Sequence, residues 1–168
     1  MVPMSYSIDA SGYLDLSKCY KGLGCDLFLA SSLSKEFYFS ELQNLIAWDG
    51  THIINLQYES TWWHLVSRHE MGREKMNPLT HLDLERVKRL PLLKQVLLGN
   101  VAADVYKQTN KKGKIDVVQL VIDPKNENYL VLLGLVGNEY IIRSAYPSDS
   151  NYVNKVKKRS VFTSKIRP

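Results

Sequence analysis

Histidine, with an unperturbed pKa of about 6.5, can accept and donate a proton near neutral pH. Two of the four histidines of this chain stand five residues apart in His64-Leu65-Val66-Ser67-Arg68-His69. On a helix of about 3.6 residues per turn, positions five apart diverge by roughly 140°, which is poor geometry for two ligands of one metal ion. His69-Glu70 also lacks the second histidine, three residues after the glutamate, that a zinc-protease helix carries. Gly22-Leu23-Gly24 follows no clear strand and has no third glycine at nucleotide-loop spacing, so it reads as a turn. No serine sits in the small-residue elbow of a hydrolase nucleophile. Metal and serine-nucleophile chemistry are therefore not expected.

The spacing of apolar residues says what must hold these groups. Trp62, Leu65, Val66 and His69 fall at i, i+3, i+4 and i+7, which predicts a helix over 61–71 with His69 at the end of an apolar stripe. His64 and Arg68, four apart, share a flank of that helix. Asn77-Pro78 breaks the run, and Thr80 resembles the cap of a second helix from about His81, restarted at Pro91 and closed by Gly99-Asn100. After Asn100 come four apolar runs of strand length, 103–108, 115–123, 129–136 and 139–146, joined by turns too short for parallel crossovers. They predict an antiparallel meander. On its last strand, simple alternation puts Tyr140, Ile142, Ser144 and Tyr146 on one face and Arg143 and Ala145 on the other. Upstream, a short strand is expected near 26–30, a helix from Ser34 to the Asp49-Gly50 stop, and a strand over 51–58.

Charge divides the chain of 168 residues, whose formal net charge is +5. Residues 1–60 hold 3 basic and 7 acidic side chains, a net of −4, and residues 61–168 hold 19 and 10, a net of +9. After Ser150, Lys155, Lys157, Lys158, Arg159, Lys165 and Arg167 meet no carboxylate. A polyanion is the natural partner of such a surface. The longest mostly apolar run, 129–137, is short of the roughly 20 residues that span a bilayer, and Asp9 and Asp15 interrupt any leader-like start. Cys19 and Cys25 are too few for a disulfide framework and read as surface thiols. A cytoplasmic location is expected.

The order HLVSRH (64–69), a second helix, four strands and then Ser144-Ala145-Tyr146-Pro147 resembles the phage and polymorphic-toxin branch of the barnase/EndoU/colicin/RelE-like (PBECR-type) nucleases. The resemblance covers about residues 61–150. It implies metal-independent cleavage of RNA, without a cofactor, by attack of a 2′-hydroxyl on the adjacent phosphate. Such a reaction needs a base, an acid and cations or donors for the charge that gathers on the phosphate. On that basis His69 is the favoured base or acid and His64 its candidate partner, while Ser144 would bond to phosphate and Tyr146 would stack on a base or donate its hydroxyl. Arg143 is the candidate cation for transition-state charge, although its expected face opposes this unless a bulge re-aims it. Arg68, Lys107, Lys155, Lys157, Lys158 and Arg159 are candidate contacts to nucleic acid.

The sequence therefore leads us to expect an α+β nuclease fold, two helices packed on a four-stranded antiparallel sheet, with an N-terminal helix-strand extension. Residues 1–60 would be the acidic extension, 61–150 the nuclease-like domain and 151–168 a basic tail. The expected function is a toxin or effector endoribonuclease acting on cytoplasmic RNA, with an acidic immunity or antitoxin protein as its inhibitor. Two rivals remain: a non-catalytic RNA- or protein-binding module on the same scaffold, and a mobile-element accessory or inhibitor protein working through the acidic segment.

Overall fold

The computed structural model describes residues 6–22, 24–56, 59–68 and 81–168. A hairpin, β1 (Tyr20–Lys21) and β2 (Gly24–Cys25), precedes helix α1 (Leu27–Glu41). The strand expected at 26–30 is instead the first turn of α1. The Asp26 carboxylate accepts the Leu29 N–H at 3.1 Å, supplying one of the partners that a helix start lacks. Ala30, Leu33, Ser34, Phe37 and Tyr38 then bury one face at helical spacing. Strands β3 (Leu45–Ile46) and β4 (Ile53–Asn55) flank the Asp49-Gly50 turn.

Helix α2 (Glu59–Val66) buries Trp62, Leu65 and Val66. The Trp62 indole N–H donates to Ser34 Oγ of α1 at 3.1 Å, so the acidic segment covers one of the two adjacent tryptophans. The candidate cap Thr80 lies outside the described residues. Asp83 caps α3 (Leu84–Lys88), accepting the N–H groups of Glu85 and Arg86. Helix α4 (Leu90–Leu98) carries Pro91 in its first turn, where no N–H is required, and ends at Gly99 in the left-handed region with φ 80°. A Cβ there would also come within 2.9 Å of Trp48 Cβ.

Strands β5 (Ala103–Thr109), β6 (Ile115–Ile122), β7 (Asn128–Val136) and β8 (Glu139–Ser148) run antiparallel in succession. They are the centre of something larger. The acidic segment adds β4, parallel to β8, and β3 beyond it. The basic segment after Asp149 forms helix α5 (Ser150–Arg159) and β9 (Val161–Ile166), and β9 pairs antiparallel with β5. The sheet is a curled, mixed, seven-stranded one in the order β3-β4-β8-β7-β6-β5-β9, and five helices lie among the described residues. The expectation of two helices on a four-stranded antiparallel sheet is thereby overturned. Periodicity records which face each strand buries but not which distant strand lies beside it, and the β4–β8 pair has no connecting turn to announce it.

Two cores result. Helices α1–α4 pack on the inner face with Val105, Val117, Val121, Val131 and Leu133, and α5 covers part of the outer face through Val153 and Val156 against Tyr106, Val118, Leu120 and Leu130. A buried charge joins the inner layer to the sheet. Arg89, 1% exposed, donates through Nε to Asp123 Oδ2 at 2.9 Å, and its other nitrogens reach Glu85 and Glu127. The Tyr13 hydroxyl donates to the same Asp123 oxygen at 3.0 Å. Burial pushes the Asp123 carboxyl up, but the Glu127 N–H, the Arg89 guanidinium and the Tyr13 hydroxyl outweigh it and hold it below the usual carboxylate range.

Replacing Arg89 by Met leaves Asp123 buried without its cation, and we expect destabilisation by about 3–5 kcal/mol in urea unfolding. Asp123 is depressed on folding, and so is Asp49, held to about 2 by the N–H groups of Thr51 and His52 and by the His52 ring against the upward push of burial. Their contribution is therefore complete above the unfolded carboxylate pKa of about 3.9 and disappears as pH falls through the folded values. Unfolding midpoints measured from pH 7 to pH 2 should drop steeply only below about pH 4, and Asp123→Asn should flatten that drop.

Candidate nucleic-acid interface along β8

β8 is ten residues long, yet β4 pairs only with Glu139, Tyr140 and Ile141. From Ile142 onward that edge carries no strand among the described residues, and α2 and α3 pack against β8. Within the β7–β8 ladder, Leu132 pairs with Ser144 and Leu133 with Ile142, so Arg143 is the extra residue of a bulge. The alternation expected from the sequence is corrected at this point. Tyr140, Ile142 and Ala145 belong to the inner core, whereas Ser144 and Tyr146 face outward beside Leu132 and Leu130. Arg143 lies with them, its guanidinium over Gly134 and 3.5 Å from Asp116 Oδ1. Counting by twos holds only while the ladder is unbroken.

Tyr146 is the centre of the arrangement. Its hydroxyl donates to Tyr152 Oη of α5 at 3.0 Å, and Arg159 Nη2 donates to that oxygen at 3.4 Å. The Arg86 guanidinium stands 5.1 Å from the Tyr146 ring centre, a cation–π contact. Burial, and then the Tyr152 hydroxyl, push the Tyr146 phenol up, against the pull of Arg86 and Arg159. It is a protonated donor at neutral pH, not a base. Arg86 donates through Nη1 to the Ser67 carbonyl at 2.7 Å. Among the described residues its buried Nε meets no hydrogen-bond acceptor, and Asp83 Oδ2 is 3.6 Å away. Burial, and the like charge of Arg68, pull the Arg86 pKa down. Two neighbouring guanidiniums and an unused buried donor favour an anion at this edge.

The other candidates are distributed as follows. His64 is exposed on α2, and Arg68 is exposed just past its end, its N–H bonded to the His81 carbonyl at 3.1 Å. His69 lies outside the described residues. Lys107 is exposed on β5, but its register with Val117 and the alternation with Tyr106 put it on the inner side, away from Tyr146. Lys155, Lys157 and Lys158 are exposed on α5, and Arg159 turns back to Tyr152. The structure thus brings Ser144, Tyr146, Arg143 and Arg159 to one face, with Arg68 close to Arg86 at the open edge.

Sequence reasoning passed over Arg86, Tyr152, Asp116 and Gly134. Only Tyr152 left a local trace: it follows the cap Asp149 and precedes Val156 by four on an amphipathic helix. The reading of Cys19 as a surface thiol is also corrected. Cys19 is fully buried, with the Cys25 thiol in hydrogen-bonding reach, and burial pushes it to about 11. Among the described residues no three His, Cys, Asp or Glu side chains gather where they could hold a metal ion, and no helix is long and apolar enough to cross a membrane. Comparison with known proteins finds no matching family model, curated protein or solved structure.

Tyr146→Phe and Tyr152→Phe should each lower stability by about 0.5–1.5 kcal/mol in urea unfolding. Because they share one hydrogen bond, the double variant should be destabilised by less than the sum of the two.

Proposed function

We propose that this protein is a metal-independent endoribonuclease that takes an RNA strand along the outer face of β8 and cleaves it by attack of a 2′-hydroxyl on the adjacent phosphate. The observation that carries this reading is the bulge at Arg143, which gathers a guanidinium, the Ser144 hydroxyl and the Tyr146 phenol onto one face. Such a reaction accumulates negative charge on a phosphate, and guanidiniums and neutral hydroxyl donors are the groups that stabilise it. In this scheme Ser144 donates to a phosphate oxygen and Arg143 meets the developing charge. Tyr146 presents a flat aromatic surface to a base. We assign proton transfer to His64 of α2, a helix of the inner layer that meets β8 along its open edge, and to His69, which lies outside the described residues. The exposed lysines of α5 attract the polyanion. In a toxin or effector role, the cognate inhibitor would present an acidic surface to this face.

The rival, an RNA-binding module without catalysis, is favoured by one observation. The Tyr146 hydroxyl is already engaged by Tyr152, and the pair flanked by Arg86 and Arg159 is a stacking platform that needs no reactive group.

Incubation of the purified protein with total RNA in EDTA separates the two. We expect cleavage, reduced by about 10²–10⁴ in His69→Ala or His64→Ala. Binding in a filter assay should weaken with salt. Replacing Lys155, Lys157 and Lys158 should make that dependence shallower, by about 0.7 in log–log slope for each phosphate that the variant no longer neutralises. Intact RNA with salt-sensitive binding would establish the module instead. RNA neither bound nor cut would end both readings.

A further inference from the structure

Gly134 stands inside β7, paired with Asp116 of β6 on one side and Ile141 of β8 on the other. A glycine in a strand interior packs nothing and weakens the strand, and it often marks a close approach by another group. Its backbone is not in the left-handed region that would demand glycine. The reason lies on the outer face. A Cβ at this position would meet Arg143 Nε at 2.7 Å, Nη2 at 2.8 Å and Cζ at 3.1 Å. Both nitrogens come nearer than the carbon between them, so the guanidinium turns its Nε–Nη2 edge towards the glycine. Further along, on β6, Asp116 Oδ1 is 3.5 Å from Arg143 Nη2 and also faces Asn110 Nδ2 at 3.5 Å. The Asp116 side chain is 7% exposed, while that of Arg143 is 43% exposed.

The arginine is thus given room along its Nε–Nη2 edge by the absence of a side chain and meets a buried carboxylate at Nη2, while its side chain stays 43% exposed. A guanidinium presents five N–H donors in a rigid plane, so fixing the plane fixes the direction of all of them. A flexible surface arginine loses rotamer freedom when it captures an anion; one already seated loses less. The adjacent residue on the same face is Ser144, so the open donors and a hydroxyl are neighbours on the strand.

We propose that Gly134 and Asp116 are positioning residues for Arg143, and that the guanidinium they seat is the binding position for a phosphodiester of an RNA strand lying over Ser144. The identity of the ligand rests on the ribonuclease reading, whereas the seating of the arginine does not.

Gly134→Ala is the sharpest test, because alanine suits a strand better than glycine and its methyl occupies only the seat of the guanidinium. The folded protein should be retained, with an unchanged or higher melting temperature, and Asp116→Asn provides a second route to the same displacement. Two measurements are read on the full chain. In ¹⁵N NMR spectra the Arg143 Nε–H resonance, assigned through its disappearance in Arg143→Ala, should move in both variants towards the position of free arginine. In the wild type it should shift on titration with inorganic phosphate and with a short RNA oligonucleotide. In cleavage assays Arg143→Ala should reduce the rate by about 10²–10³, Gly134→Ala should show most of that reduction, and the double variant no more than Arg143→Ala alone.

An Nε–H resonance unmoved by Gly134→Ala and Asp116→Asn, or rate reductions that simply multiply in the double variant, would overturn the positioning roles even if RNA is cleaved. A resonance that moves in the variants but ignores phosphate and RNA would overturn the phosphodiester assignment while leaving the seating intact. Cleavage absent from every form, with the spectral shifts present, would refute the ribonuclease reading and keep the positioning.

Discussion

The ion pair between Arg89 and Asp123 is the constraint on which the arrangement of layers depends. Arg89 occupies the break between α3 and α4, and Asp123 opens the turn between β6 and β7. Neither side chain has meaningful access to water, so each stays charged only because the other, with Glu85, Glu127 and Tyr13, is in place. Two charges buried apart would be far costlier than two buried together. The helical layer can therefore dock on the sheet in essentially one position. The same contact recruits the N-terminal segment, since Tyr13 joins the carboxylate and the Leu14 N–H donates to the Lys88 carbonyl at 2.8 Å.

That docking leaves β8 half covered. β4 is three residues long and closes only the start of the strand, so the remainder meets α2 and α3 instead of another ladder. Arg86, one turn before Arg89 on the docked helix, is thereby delivered to the ring of Tyr146. From the opposite side α5 delivers Tyr152 to its hydroxyl, and Arg159 in turn donates to the Tyr152 oxygen. Charges of one sign collect around an aromatic pair because they come from separate elements, each held by its own apolar anchors. The bulge completes the set. One extra residue in the strand brings Ser144 and Tyr146 round to the outer face that Arg143 occupies, where Gly134 leaves the guanidinium room.

Acidic and basic portions of the chain, distinct in composition, are not separate in the sheet. The acidic segment supplies β3, β4 and the α1 contact to Trp62, and the basic segment supplies β9 and α5. Both flank the meander. The excess positive charge therefore ends up on the helix and edge strand beside the outer face, while the acidic segment lies at the other end of the sheet order.

Much of the local structure could be read from residue order. The meander of β5 to β8, the α2 stripe of Trp62, Leu65 and Val66, and the stop at Gly99 follow from periodicity, turn residues and caps, which act over a few neighbours. Ser144, Tyr146, Arg143 and the basic run of α5 were recognisable as polar groups of a suitable kind. By itself, then, the sequence determined the meander, the α2 stripe and which side chains are available for chemistry, while it misplaced a strand at 26–30, where α1 begins, and carried the helix from Ser34 through β3. Only the tertiary structure decided that the sheet has seven strands, that Arg143 shares a face with Ser144, and that Arg86 and Tyr152 meet at Tyr146. These depend on pairings between segments far apart in the chain and on one inserted residue in a ladder. Strand pairing, close approach and burial of charge act through space, and no local pattern of residue types encodes them.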